Sequence, residues 1–108
     1  MAKLQLNAGE SIIGSGMMAY QEPEGMLRYR SWHGNIYITN QRAFFRMSMT
    51  GISMMDLPLS EIRGFTASKS FFVPEIKIYS RNGENFKFTG FLAKKLKIWL
   101  LQAGLPSL

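Results

Sequence analysis

Gly34-Asn35-Ile36-Tyr37-Ile38-Thr39-Asn40-Gln41-Arg42-Ala43-Phe44-Phe45 is the stretch whose reading decides the fold. Ile36 to Thr39 and Ala43 to Met47 are short runs rich in β-branched and aromatic residues, separated only by Asn40-Gln41-Arg42. Two such runs with so short a polar connector meet as an antiparallel hairpin. In the connector, Asn tolerates turn backbone and bonds main chain nearby, while Thr suits the last strand position. Thr39, Asn40 and Arg42 are therefore read mainly as structural, with Arg42 also a candidate anion contact.

Working outward, the same texture continues. Downstream, Ser48 to Ser53 reads as a loop around Thr50-Gly51, and Leu57-Pro58-Leu59 as a short strand whose proline calls for an edge. Ile62 to Ala67 reads as another strand. Glu75 to Tyr79 and Asn85 to Thr89 alternate about Arg81-Asn82-Gly83-Glu84, and an Asn-Gly between alternating runs marks a hairpin. Upstream, Ser11 to Tyr20 is a first strand in which Gly14 and Gly16 predict a bulge or bend. Gln21 to Gly25 reads as a polar turn. From Met26 to Trp32 apolar and basic residues alternate, with Leu27 and Tyr29 on one side and Arg28 and Arg30 on the other, until His33-Gly34-Asn35 breaks the run; as a strand this packs Tyr29 inward and leaves the side of Arg28, Arg30 and Trp32 to solvent.

Only the tail changes period. Leu92, Leu96, Trp99, Leu100 and Ala103 fall on one face of a helix. Gly104 stands where a left-handed C-cap belongs, Leu105 can supply the accompanying apolar contact, and Pro106 stops the helix. With no repeat, linker or low-complexity segment, residues 1–108 read as one domain of six or seven antiparallel strands and a terminal helix.

Composition sets outer bounds. A chain of 108 residues with 46% apolar content can build one hydrophobic core. The formal charge of +6 favours anionic partners but says nothing of fold. The absence of cysteine excludes disulfides, zinc-thiolate sites and a thiol nucleophile. The N-terminus lacks a signal-peptide pattern, and no window is apolar enough for a membrane-spanning helix, so a cytoplasmic, soluble protein is expected.

Several segments resemble the GRAM and bacterial pleckstrin-homology-like (PH-like) domains. Gly34 to Phe45 is similar to the family's Gly, Leu-x-Leu-Thr-Asn-x-Arg core and following apolar strand. Gly9-Glu10-Ser11-Ile12-Ile13 resembles its early Gly-Glu, Leu57-Pro58-Leu59-Ser60-Glu61-Ile62 its apolar-Pro-Leu segment, and Asn82 to Phe88 its last hairpin. The resemblance runs from about Asn7 to Gly104. It implies a mainly β fold, in which about seven antiparallel strands form two near-orthogonal sheets of a partly open barrel and a C-terminal α-helix plugs one end. It also implies a binding module.

The catalytic inventory is thin. His33 and Asp56 are the single histidine and the single aspartate, no pair of carboxylates has a meaningful spacing, and His33 has no neighbouring metal ligand. Gly14-Ser15-Gly16 is followed by no Lys-Ser/Thr and opens no helix, so it is not a phosphate loop. A non-enzyme without cofactor is the expectation.

Three surfaces could bind. Arg28-Tyr29-Arg30-Ser31-Trp32 resembles the basic-x-Arg-x-hydrophobic element with which PH domains hold phosphoinositides, although Met17-Met18-Ala19-Tyr20 stands where those domains place a lysine. Guanidinium forks suit phosphate, and Trp32 suits a membrane interface. Met49, Ile52 and Met54 belong to a methionine-rich loop tip that could meet a partner or membrane. Phe91, Ile98 and Leu101 fall on a second side of the helix beside Lys94, Lys95 and Lys97, where a simple plug would be polar. The leading expectation is a module peripheral to the membrane that takes anionic phospholipid headgroups; the alternative is protein binding or self-association. Nucleic acid is disfavoured, since strand alternation already accounts for Phe86-Lys87-Phe88.

Overall fold

The computed structural model describes residues 5–26, 28–70 and 73–108. In chain order the elements are β1 (Ile12–Pro23), β2 (Tyr29–Thr39), β3 (Arg42–Met47), β4 (Ser53–Pro58), a 3-10 turn at Leu59–Glu61, β5 (Ile62–Ser70), β6 (Val73–Ser80), β7 (Asn85–Thr89) and α1 (Ala93–Gln102). The seven strands form one antiparallel sheet in the order β4-β3-β2-β1-β7-β6-β5. β4 and β5 end that order without pairing to each other, so the sheet curls into a partly open barrel. The long β1 joins its halves, pairing with β2 along nearly its whole length and with β7 at Ala19 to Gln21.

Alternation selects the core. Ile36 and Ile38, Ile76 and Ile78, and Phe88 turn inward to join Phe45, Phe65 and Ile62, all fully buried. Tyr20 sits at the aromatic centre, with ring centroids 6.0 Å from Phe45, 5.4 Å from Phe88 and 6.1 Å from Phe86. Each buried phenylalanine contributes about 1.5–3 kcal/mol, and these contacts tie β1, β3 and β7 together across the interior.

The helix covers the remaining opening. Ala93, Leu96 and Leu100 are buried, and Leu92, Trp99 and Ala103 pack against the same core, as the helical period predicts. The two β1 glycines make this seat possible. A Cβ on Gly14 would lie 2.0 Å from the Trp99 ring, and one on Gly16 would lie 2.3 Å from a Leu92 methyl. The predicted bulge is present where the β1/β2 register shifts between Ile12 and Gly14, but close approach of the helix is what excludes side chains there. At the far end Gly104 adopts φ +91°, its N–H donates to Leu101 C=O at 3.0 Å, and Leu105 N–H donates to Leu100 C=O at 3.1 Å. With Leu105 buried, this is the expected Schellman cap.

Several boundaries differ from expectation. β1 continues through Gln21-Glu22-Pro23 instead of turning there. β2 runs unbroken through His33-Gly34-Asn35. Gly34 is needed because a Cβ would lie 2.1 Å from the Arg46 carbonyl oxygen, so it admits the β3 backbone and does not break the strand. β4 begins at Ser53 and ends at Pro58, which does lie on an edge strand. In β4 the register shifts between Phe45 and Arg46, which pair with Met55 and Ser53 and leave Met54 as the extra residue. That bulge lets both Met54 and Met55 pack on the core.

A polar clasp secures the deciding hairpin. Glu10, whose side chain is wholly buried, accepts from Thr39 Oγ1 at 2.6 Å, from Arg42 Nε at 2.9 Å and from the Asn7 amide at 2.8 Å. Arg42 also donates to Glu10 Oε1, to Asp56 Oδ2 at 2.9 Å and to the Gln5 carbonyl at 3.1 Å. Thr39 Oγ1 accepts from the amides of Gln41 and Arg42, both at 3.0 Å. Asn40 does not bond its own neighbourhood as expected; its side chain accepts from Ser11 N–H and donates to Gly9 C=O. Beneath the clasp Phe44 is buried on the outer face, stacked on Tyr37 at 4.8 Å with the Arg42 guanidinium 4.2 Å from its ring.

Burial pushes the Glu10 carboxyl up, but hydrogen bonds from Arg42, Thr39 and Asn7 and the Arg42 charge outweigh it and hold the pKa at about 2, below the ordinary 4.5. Because the folded-state value is depressed, this carboxylate stabilises the fold fully above about pH 4.5, and the contribution is lost as pH falls toward 2. Its upper limit is about 3 kcal/mol. Urea titrations from pH 6 to pH 2 should show that loss in the wild type and a flatter curve for Glu10→Gln, which should also be less stable at neutral pH by about 2–4 kcal/mol. Parallel curves would refute the clasp's share. In the core, Gly14→Ala should cost at least about 1–3 kcal/mol through overpacking against Trp99, read by urea unfolding of its fluorescence, and Gly14→Ala/Trp99→Leu should recover part of it. Equal stability of Gly14→Ala and wild type would rule out the close seat.

Candidate functional site

Antiparallel register carries the candidate residues to defined places. β1 and β2 make a long hairpin with Pro23 opposite Tyr29, closed by Glu24 N–H donating to Arg28 C=O at 2.9 Å. Beside it the β3–β4 loop is closed by Met47 N–H on Ile52 C=O at 2.9 Å and Gly51 N–H on Met47 C=O at 2.9 Å. Ser48 N–H donates to His33 C=O at 3.2 Å, and this ties the loop to the flank of β2. Both tips therefore lie at one end of the barrel. There Met26 is 94% exposed and Met49 92% exposed, with Ile52 also exposed.

The arginines occupy this rim. Arg28 is exposed just before β2, and Arg30 is exposed within it. The Arg30 guanidinium lies 4.7 Å from the Trp32 ring centroid, and Arg30 stands opposite Glu22 in register. Trp32 is half-buried against the core and donates from Nε1 to Glu22 Oε1 at 3.3 Å, so its indole is a support for Arg30 and not a free interfacial anchor. The strand phase is the reverse of that expected. Trp32, opposite the buried Tyr20, faces the barrel, whereas Tyr29 is half-exposed on the outside with Lys87 Nζ 4.6 Å from its ring. Leu27, expected beside Tyr29, lies outside the described residues.

Charge at the rim is mixed. Glu22 and Glu84 lie near enough to Tyr20 to raise its phenol pKa, after burial, which is the larger cause. The rim is thus an open surface of exposed apolar tips and arginines with acidic neighbours.

The other candidates go elsewhere. Arg42 has its guanidinium donors committed to Glu10, Asp56 and Gln5, so the structural role read from the turn accounts for it. Met54 leaves the exposed methionine group for the core. Phe91, Ile98 and Leu101 are exposed, at 87%, 54% and 48%. They sit on the helix end of the molecule, because Leu92 and Trp99 seat on Gly16 and Gly14 while the hairpin tip follows Pro23, roughly 20 Å further along β1. The candidates thus divide between two surfaces. Met26 joins the rim although sequence reading passed over it; its signal is Gly25, whose φ of +112° makes the turn that projects the next side chain.

Three solved structures share this architecture. They are the C-terminal domain of an unknown protein from Leishmania infantum (TM-score 0.71, 17% identity, 89% of this chain and 85% of that one), the Vps36 N-terminal PH domain (0.64, 17%, 91% and 84%), and the PH domain of human pleckstrin homology domain-containing protein family A member 5 (0.61, 13%, 95% and 84%). At these identities the likeness is one of fold. No curated protein matches the chain. The family model of the GRAM domain matches residues 1–102, and with the partly open seven-stranded barrel and its capping helix the chain belongs to the GRAM domain family.

Proposed function

We propose that this protein is a non-catalytic module that docks peripherally on an anionic membrane surface through the rim of its β1–β2 and β3–β4 loops. GRAM and PH-like domains are typically lipid- or protein-binding modules. The observation that carries the reading is that Met26, Met49, Ile52, Arg28 and Arg30 are all exposed on segments directed toward one end of the barrel. Apolar tips would enter the acyl boundary while the guanidiniums meet phosphate. A cytoplasmic leaflet supplies the negative potential such a surface needs. Among the described residues no helix is long and apolar enough to cross a membrane. Asp56 is engaged by Arg42, and among the described residues no cluster of His, Asp and Glu could hold a metal ion.

Flotation with vesicles of neutral lipid, of lipid with phosphatidylserine, and of lipid with a phosphoinositide provides the test. Wild type should float with the anionic vesicles, and recovery should drop several-fold for Arg28→Ala/Arg30→Ala, for Met49→Asp/Ile52→Asp, and at high salt. Equal recovery of all proteins from all vesicles would exclude the membrane reading.

The Phe91, Ile98 and Leu101 stripe supports a second reading, self-association through α1. Sedimentation should then show wild type heavier than a monomer and Ile98→Lys/Leu101→Lys monomeric with unchanged stability. Two monomers would end that reading.

A further inference from the structure

The chain contains eight methionines and no cysteine, so a peroxide meets thioether sulfur and no thiol. The barrel sorts these sulfurs by access. Met18 and Met55 are buried, and Met54 packs against the same core. Met47 is half-buried, and its sulfur accepts from Thr50 Oγ1 at 3.8 Å. Met26 and Met49 stand at the opposite extreme, 94% and 92% exposed, above every other large apolar side chain among the described residues. Met17, 66% exposed, lies opposite Asn35 on β1 beside the Gly16 seat of Leu92, away from the rim.

The exposure at the tips has a backbone cause. Gly25, at φ +112°, turns the β1–β2 hairpin and projects Met26. Gly51, at φ +72°, closes the β3–β4 turn by donating its N–H to Met47 C=O, and Met49 stands within that turn. Two apolar side chains are thus held in water on separate loops directed toward the same end of the barrel. They have the access that an oxidant needs, and they supply the apolar part of the membrane contact proposed above.

The chemistry balances with hydrogen peroxide alone. The sulfur lone pair attacks one peroxide oxygen, the O–O bond breaks, an S–O bond forms, and the second oxygen leaves as water after proton transfer. The thioether loses two electrons and the peroxide gains them. The product, a sulfoxide, is polar where the thioether was apolar. A polar group carried into an acyl region without a hydrogen-bond partner is costly, so the same atom that inserts as a thioether resists insertion once oxidised.

We propose that Met26 and Met49 are a reversible oxidation site, at which hydrogen peroxide forms the two sulfoxides and thereby releases the rim from an anionic membrane. The inference rests on the membrane reading and adds regulation to that site. Arg28 and Arg30 keep their charge, so recovery falls while its dependence on salt is retained. Methionine sulfoxide reductases, one for each epimer, restore the thioethers.

The test measures flotation with phosphatidylserine-containing vesicles before and after dilute peroxide, with the oxidised residues located by fragment-ion mass spectrometry. In wild type, Met26 and Met49 should gain oxygen before Met18, Met54 and Met55, with the thermal midpoint unchanged. Recovery should fall several-fold and return after treatment with both reductases. Met17→Leu should respond to peroxide as wild type does. Met26→Leu/Met49→Leu, compared with itself before peroxide, should lose little, because neither tip then carries sulfur. Met26→Gln/Met49→Gln, with a polar amide at each tip, should float like oxidised wild type without any treatment. Undiminished flotation of oxidised wild type, equal fractional loss in Met26→Leu/Met49→Leu, or full recovery of Met26→Gln/Met49→Gln overturns the oxidation site and leaves the membrane reading standing. Wild type that fails to float before peroxide ends both.

Discussion

An open barrel leaks unless something covers its mouth, and here everything depends on how closely α1 can lie on β1. Trp99 and Leu92 occupy the space where side chains of Gly14 and Gly16 would be, so two missing side chains on the strand are answered by two large ones on the helix. Removing that match would leave Leu96, Leu100 and the phenylalanine cluster open to water on one side. Unlike a closed barrel, this sheet cannot compensate by further pairing, since β4 and β5 do not meet. The Schellman cap at Gly104 then ends the helix where the tail can turn back to β5, so sealing the core and dressing the sheet edge are one continuous path of chain.

The second constraint is electrostatic. Burying a carboxylate is costly unless it is paired and fully hydrogen-bonded, and Glu10 meets both conditions through residues from the N-terminal segment, β2 and β3. Its depressed pKa records the balance between burial and hydrogen bonding. This explains the Gly-Glu and Thr-Asn-x-Arg elements without recourse to a ligand: the residues most specific to the family are spent holding the first strands together. Functional surfaces have to be sought where side chains are left over.

Those remainders lie apart. One end of the barrel carries the loop tips with Met26, Met49, Arg28 and Arg30; the flank between β5 and α1 carries lysines around an apolar notch. A small barrel with a helix on one side can present loops at one end and a charged flank without moving its core.

Most of the architecture was legible in the residues. Period two marked the strands, Asn82-Gly83 the last hairpin, Pro58 an edge, and Leu92 to Pro106 a capped helix, because each is a local rule of backbone and side-chain geometry. The misreadings also share a cause. Gly34 looked like a strand break and is a point of contact with the Arg46 carbonyl; Met54 looked exposed and is carried inward by a bulge; Trp32 and Tyr29 exchanged faces when β1 pairing set the phase of β2. Each depends on a neighbour distant in the chain. What the sequence determined by itself is which segments extend, which one coils and where that helix stops. Which strand faces turn inward, how far β1 and β2 run and where Arg42 is consumed was decided by tertiary structure, because hydrogen-bond partners and packing contacts between strands are set by register, not by local order.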